Sequence, residues 1–271
     1  MKYFLFLSLL LLPSIAKADP SVLDTGFIPA PVFYWWAGRQ ETSSVKYTDI
    51  STQAIATQEI INIGSSYGRI GRLANFNGVQ TAGGSRFAFG ISTSLVTTRE
   101  ITLAVWGRLN ATNNNAVVLT VINAENEERA TLVYRFGARP NMYTQVWNNA
   151  CSGRVARGGS HAFFATDTTT GNIGTDQYFF YIATFKDGEM LADINGKPDL
   201  LEAPPTEINI DCDSPDADRI IVGQFSISSG FNSQGSPPMD LRAALVWDVA
   251  LSSAQRYAAY QTIVNGGAQK W

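Results

Sequence analysis

The stretch from Tyr178 to Leu201 constrains the fold most, because it predicts three consecutive β-strands joined by two tight turns. In the first strand, the side chains that point to either face are mostly apolar, so both faces are predicted to be buried inside a layered structure. Asp187-Gly188 and Asn195-Gly196 are strong hairpin signals, since these residues accept the positive φ angles of a tight turn. The stretch therefore predicts an antiparallel meander.

The rest of the chain continues this pattern of short apolar strands separated by turn residues. About a dozen such strands predict an all-β protein, a two-sheet antiparallel β-sandwich. One short C-terminal helix is predicted to begin at Ser252, where Gln255 completes a capping box, and to end at Gly266.

Two segments allow alternatives. Residues 50 to 61 favour a short helix over two weak strands. Residues 148 to 176 are rich in Asn, Gly, Ser and Thr, so they predict a long loop, or an edge strand at Ala162–Ala165, before the meander.

The first 18 residues have the composition of a secretory signal peptide. Lys2 precedes an apolar run from Tyr3 to Leu12, and small residues lead to a predicted cleavage site after Ala18. The run is too short to span a bilayer, so no membrane insertion is expected after cleavage; an uncleaved anchor is the alternative. We predict an exported protein, periplasmic or secreted, with one domain over residues 19 to 271.

The charge of the mature chain excludes some classes of partner. Removing residues 1 to 18 from the 271 leaves 253, and the loss of Lys2 and Lys17 takes the formal net charge from −3 to −5. An acidic chain argues against nucleic acid or an anionic membrane as the partner.

Cys151 and Cys212 are the two cysteines of the chain. An even number of cysteines in an exported protein favours a disulfide, which would join the segment before the meander to the loop after it. Two unpaired buried thiols are the alternative.

Three runs, in order along the chain, resemble one family of domains. They are RLANFNG with ITLAVWGRL, then YFFYIATFKDGEMLADINGK, then IIVGQF with MDLRAALVWDVALSS. Together with the opening strand VFYWW, they resemble the laminin-G-like and concanavalin A-like jelly rolls of the lectin–glucanase class. The resemblance implies a jelly-roll sandwich and a role in binding.

An acidic loop and a group of aromatic and amide residues are the candidate binding elements. Carboxylates cluster in the sequence DCDSPDAD, where oxygen ligands suit Ca²⁺, although a solvated acidic loop is the alternative. The candidate calcium ligands are Asp211, Asp213, Asp216 and Asp218. Just before the long loop, the chain has aromatic residues, whose rings can stack on sugars, and asparagines, whose amides can bind sugar hydroxyls. An aromatic residue in a sandwich is, however, more often part of the core. The candidate ligand-binding residues are Tyr143, Trp147, Asn148 and Asn149.

Catalytic patterns are weak in this sequence. Gly64-Ser65-Ser66-Tyr67-Gly68 matches a nucleophile elbow, but a glycine turn is favoured because no helix can easily follow it. Glycoside hydrolysis needs two carboxylates flanking the bond, and the closest pair, Glu125 and Glu127, falls in a hydrophilic turn. Trp106 is typical of the core.

We therefore predict an exported, non-catalytic binding or adhesion module that recognises a glycan or a surface protein, with calcium as a candidate cofactor. A glycoside hydrolase or polysaccharide lyase on the same fold is one alternative, and a structural subunit of a surface assembly is another.

Overall fold

A computed structural model describes the parts of the chain that form its sheets and its helix. The described residues are 26–40, 47–49, 57–61, 64–68, 71–76, 86–90, 100–110, 116–122, 128–135, 141–148, 153–163, 177–186, 189–199, 219–223 and 239–265.

Within these ranges the chain forms sixteen strands and one α-helix that a π-helical turn extends. The strands are β1 Phe33–Gln40, β2 Tyr47–Asp49, β3 Thr57–Ile61, β4 Gly64–Gly68, β5 Gly71–Asn75, β6 Arg86–Gly90, β7 Ile101–Leu109, β8 Ala116–Ile122, β9 Glu128–Arg135, β10 Asn141–Asn148, β11 Gly153–Phe163, β12 Tyr178–Lys186, β13 Glu189–Ile194, β14 Lys197–Asp199, β15 Arg219–Gly223 and β16 Met239–Trp247. The helix α1 is Ser253–Tyr260, and the π-helical turn is Gln261–Asn265.

The strands form two antiparallel sheets. Sheet A has the order β14-β13-β12-β7-β16-β1-β2, with β5 beside β16 and β4 beside β5. Sheet B has the order β11-β10-β9-β8-β15-β6-β3. The predicted all-β antiparallel sandwich with one short helix is confirmed.

The core between the sheets takes alternate residues from both of them. Leu103 of β7, Tyr181 of β12 and Val246 of β16 are fully buried there against Val121 of β8 and Val222 of β15. Each large apolar side chain buried in this way stabilises the fold by about 1.5–3 kcal/mol.

Sheet A is also buried on its outer face, in a second apolar cluster. Phe180, Trp106 and Trp247 lie in this cluster, beneath Ala259 of α1 and Ile263 of the π-helical turn. The prediction that β12 is buried on both faces is therefore confirmed, and so is the prediction that Trp106 is a core residue. Trp106 packs in the outer cluster rather than between the sheets.

The helix begins as the sequence predicts. The Gln255 backbone N–H donates to Ser252 Oγ at 3.3 Å, and the Ser252 N–H donates to Gln255 Oε1 at 2.9 Å, which completes the capping box. The predicted end at Gly266 lies outside the described residues.

A buried ion pair fastens the helix to sheet A. Arg256 Nε lies 2.6 Å from Asp193 Oδ2, and both side chains are almost fully buried. Arg256 Nη1 also donates to the Leu251 carbonyl at 3.0 Å. The position of α1 is thus fixed by charge as well as by apolar packing.

The second turn of the meander packs against the helix. Asn195 and Gly196 have φ angles of 51° and 75°, which confirms the tight turn predicted between β13 and β14. A Cβ at position 196 would lie 2.5 Å from Tyr260 Cδ1. The first predicted turn, Asp187-Gly188, lies outside the described residues.

Gly196→Ala is expected to lower the free energy of unfolding by about 2–3 kcal/mol, since it combines a strained positive φ with a clash against Tyr260. Chemical denaturation measures this loss. Tyr260→Ala removes the ring that the new Cβ would meet. Gly196→Ala should therefore lower the free energy of unfolding less in the Tyr260→Ala background than in the wild type. Equal losses in the two backgrounds would contradict the proposed contact.

Two sequence predictions before β5 have different outcomes. Residues 57 to 61 form strand β3, which pairs with β6, so the strand alternative is confirmed there and the helix is not, since pairing within a sheet overrides weak local preference; residues 50 to 56 lie outside the described residues. Gly64–Gly68 is strand β4, paired with β5 along its length. It is therefore neither a glycine turn nor a nucleophile elbow.

The edge strand of sheet B is longer than predicted. The loop predicted over residues 148 to 176 contains β11, which starts at Gly153 and ends at Phe163, whereas the predicted edge strand covered only Ala162–Ala165. Backbone hydrogen bonds to β10 form this strand, and they do not require the apolar alternation that the sequence lacks.

Several predictions fall outside the described residues. They concern the signal peptide at residues 1 to 18, Glu125, Glu127, Asn149, Cys151, Cys212, Asp211, Asp213, Asp216 and Asp218. Among the helices that the structure describes, none is long and apolar enough to cross a membrane.

Candidate functional site

A polar cluster surrounds the carboxylate of Asp240 at the end of sheet A. Asn75 Nδ2 and Asn110 Nδ2 donate to Oδ1 at 2.6 and 2.7 Å. Arg108 donates to Oδ2 from Nε at 2.9 Å, and its Nη2 lies 2.8 Å from the same oxygen. We call these four residues the Asp240 cluster.

The register of sheet A brings this cluster together. Asp240 of β16 lies opposite Arg108 of β7 on one side and Asn75 of β5 on the other. Arg108 in turn lies opposite Tyr178 of β12, and its guanidinium carbon lies 5.9 Å from the centre of the Tyr178 ring. Four neighbouring strands thus contribute one row of polar and aromatic side chains.

Burial is graded across the cluster. The side chain of Asp240 is 3% exposed and that of Arg108 is 28% exposed, whereas Asn110 is an exposed residue. A buried carboxylate requires such hydrogen bonds, because an uncompensated charge away from water is very costly. Asp240 therefore holds the amide and guanidinium groups in place where they reach the surface.

A β-bulge next to the cluster positions a second arginine. Leu241 lies opposite Gly107 and Ala243 opposite Trp106, so Arg242 is the extra residue of β16. The guanidinium carbon of Arg242 lies 4.5 Å from the centre of the Trp36 ring and 5.9 Å from that of Trp106. Such stacking of a cation on an indole ring is favourable.

Burial of this arginine changes its titration. Burial lowers the pKa of Arg242 to about 10, against a smaller raising effect of Tyr34 and Tyr178. Burial raises the pKa of Tyr34 well above its usual value, and the charge of Arg242 opposes this rise. The charged guanidinium therefore carries a desolvation cost in the fold, and the two indole rings offset part of it.

A small open cleft lies elsewhere on sheet A. Its volume is about 240 Å³, below the roughly 300–1,000 Å³ typical of small-molecule pockets. It is lined by Thr184, Lys186, Glu189, Leu191, Ala250, Leu251 and Ser252. Since none of these belongs to the Asp240 cluster, the two features are separate.

The binding residues predicted from the sequence lie in sheet B. Tyr143, Trp147 and Asn148 belong to β10, which pairs with β9 and β11. The Asp240 cluster lies in sheet A, so the structure does not bring the two sets of residues into one sheet. Within the described part of the chain, no group of three or more His, Cys, Asp or Glu residues could hold a metal ion.

The sequence prediction missed the Asp240 cluster. Arg108 and Asp240 are charged residues inside two largely apolar strands, ITLAVWGRL and MDLRAALVW, the second of which also contains Arg242. Charges are almost never buried unless paired, so these two positions were the available signal.

Comparison with known proteins gives a fold but no family. No protein-family model matches the sequence, and no curated protein matches it. Solved structures do match, and several are binding domains of botulinum neurotoxins. Over the part that it matches, this chain has their fold.

Three matches show the extent of this similarity. The serotype D binding domain matches with a TM-score of 0.56 at 13% identity, over 86% of this chain and 51% of that chain. The binding domain of neurotoxin DC, in complex with rat synaptotagmin II, gives 0.59 at 10%, over 86% and 52%. A further receptor binding domain gives 0.61 at 11%, over 91% and 53%.

The chain thus spans about half the length of the structures it matches. The matches support the broad jelly-roll, lectin-like prediction without singling out the laminin-G-like or concanavalin A-like families. At this level of identity the similarity shows the fold alone.

Proposed function

We propose that the protein is an exported, non-catalytic binding module that recognises a glycan or a protein on a surface. The observation that carries this proposal is the match to receptor-binding domains, which extends over 86–91% of the chain. One of those domains was solved with a protein partner, synaptotagmin II, bound to it. A sandwich of this kind serves as a rigid scaffold that presents a binding surface.

Sheet B is the proposed glycan-binding region. Tyr143 and Trp147 fall four positions apart in the sequence of β10 and supply two aromatic rings. Asn148 and Asn149 follow directly and supply amide groups of the kind that bind hydroxyls. This arrangement combines ring surface with hydrogen-bonding groups, as a sugar site requires.

Calcium and export complete the proposal. Asp211, Asp213, Asp216 and Asp218 supply four carboxylates within eight residues, which suits the oxygen coordination of Ca²⁺. Cys212 lies inside this run, so a disulfide to Cys151 would fix the loop. The composition of residues 1 to 18 supports export.

A glycan array probed with the mature protein, once with calcium and once with EDTA, tests the proposal. We expect binding to a subset of glycans that is lost in EDTA. Trp147→Ala should abolish this binding, whereas Trp147→Phe, which keeps an aromatic ring, should retain most of it. If no glycan binds in either condition, the glycan proposal is refuted and a protein partner remains, in line with the synaptotagmin complex.

A further inference from the structure

The Asp240 cluster has the features of a ligand site as well as those of a structural joint. We propose that it binds an uncharged saccharide through two neighbouring hydroxyl groups, as a second contact region apart from β10. This inference rests on the glycan form of the proposed function. Four observations support it: the charge balance, the fixed amide, the neighbouring ring and the length of the row.

The charge balance of the cluster favours an uncharged ligand. Arg108 and Asp240 compensate each other at 2.8 Å, so the cluster has no net charge. Both carboxylate oxygens of Asp240 already accept hydrogen bonds, Oδ1 from two amides and Oδ2 from Arg108. Asp240 is therefore a positioning residue, and the groups around it make the contacts.

Asn110 presents a fixed amide at the surface. Its Nδ2 is held by Asp240 at 2.7 Å, which sets the orientation of the whole amide plane. An amide has two N–H donors and one carbonyl acceptor, so this exposed residue keeps one donor and the acceptor for a ligand. Two adjacent hydroxyl groups, one accepting and one donating, match that pair, and the fixed orientation lowers the entropy cost of binding.

The row next to Asn110 has the length and the mixed character that a saccharide needs. Tyr178, Arg108, Asp240 and Asn75 lie on four adjacent strands, a span of roughly 14 Å at the usual strand spacing. Tyr178 is partly exposed at one end of the row, where its ring packs against the outer apolar cluster and beneath Arg108. Such a row exceeds the width of one pyranose ring, so the ligand is an oligosaccharide.

Asn110→Ala is the direct test, and Asn265→Ala is its matched control. Each variant removes a surface asparagine that donates one side-chain hydrogen bond, to Asp240 at position 110 and to Gln261 at position 265. The probes are uncharged oligosaccharides on a printed array, followed by titration calorimetry with the tightest of them. We expect about tenfold weaker binding for Asn110→Ala, the value of roughly two ordinary hydrogen bonds, and unchanged binding for Asn265→Ala.

A second variant guards against a loss of folding. Asn110→Ser keeps a small polar side chain at this surface position but lacks the amide pair, so it should weaken binding while its thermal unfolding matches that of the wild type. Equal affinity of both position-110 variants and the wild type would overturn the inference. If Trp147→Ala abolishes binding at the same time, the proposed function stands and only this second contact region is refuted.

Charged analogues test the class of ligand. Sulfated forms of the same oligosaccharide should bind no better than the uncharged form, because the cluster has no net charge. Tighter binding of sulfated forms that depends on Asn110 would overturn the assignment to an uncharged ligand. A wild-type protein that binds no saccharide would refute this inference together with the glycan form of the proposed function.

Discussion

Arg256→Met is expected to lower the free energy of unfolding by about 3–5 kcal/mol. The substitution leaves the buried carboxylate of Asp193 without its cation, and it also removes donors to the Leu251 carbonyl and to Ser253 Oγ. Methionine preserves much of the apolar volume. The loss therefore reports the ion pair rather than a cavity.

Urea unfolding followed by circular dichroism measures this effect. Lys197→Met, which removes an exposed lysine from β14, is the control and should change the free energy by less than about 0.5 kcal/mol. Combining Arg256→Met with Asp193→Leu should recover part of the loss, because no uncompensated charge then remains in the interior. A loss below about 1 kcal/mol in the single variant would contradict the buried pair.

Gly107→Ala is expected to cost about 3 kcal/mol, the second large effect. A Cβ at this position would collide with the carbonyl oxygen of Asp240 and approach Leu241 Cδ2 to 2.8 Å. The first of these contacts is backbone at the β-bulge, so no flexible side chain can move aside to relieve it. The bulge itself would have to shift.

Gly26→Ala is the comparison that isolates the contact. Gly26 has a positive φ of 72° but nothing within 4 Å of the position of its Cβ, so its variant reports backbone strain alone. We expect Gly107→Ala to lower the denaturation midpoint clearly more than Gly26→Ala does. The near-ultraviolet circular dichroism of Gly107→Ala should also change, since Trp36 and Trp106 pack on Arg242 of the bulge. Similar midpoints for the two variants would show that the bulge accommodates a methyl group.

Features set by short-range signals were predictable from the sequence. Asn195-Gly196 forms the expected turn because only a few residue types accept two successive positive φ angles. Ser252 and Gln255 form the expected capping box because both partners lie within one helical turn. Strand β12 was predictable because apolar residues occupy both of its faces.

Features set by long-range pairing were not predictable in the same way. Strand β11 contains three glycines and two arginines and becomes a strand through its pairing with β10. Asp240 meets Asn75 and Arg108 across 165 and 132 residues of sequence, so no local pattern joins them. The bulge at Arg242 is a similar case, because it depends on the register between β16 and β7.

The central place of β16 in sheet A has a consequence for how the chain matures. Residues 239 to 247 insert between β1 and β7, so these two earlier strands share no neighbour in the described part of sheet A until residues 239 to 247 have been synthesised. Pairings this distant in sequence make folding slow. Of the strands that the structure describes, β16 is the latest in the sequence, so the centre of sheet A forms only after the strands on both sides of it have been synthesised.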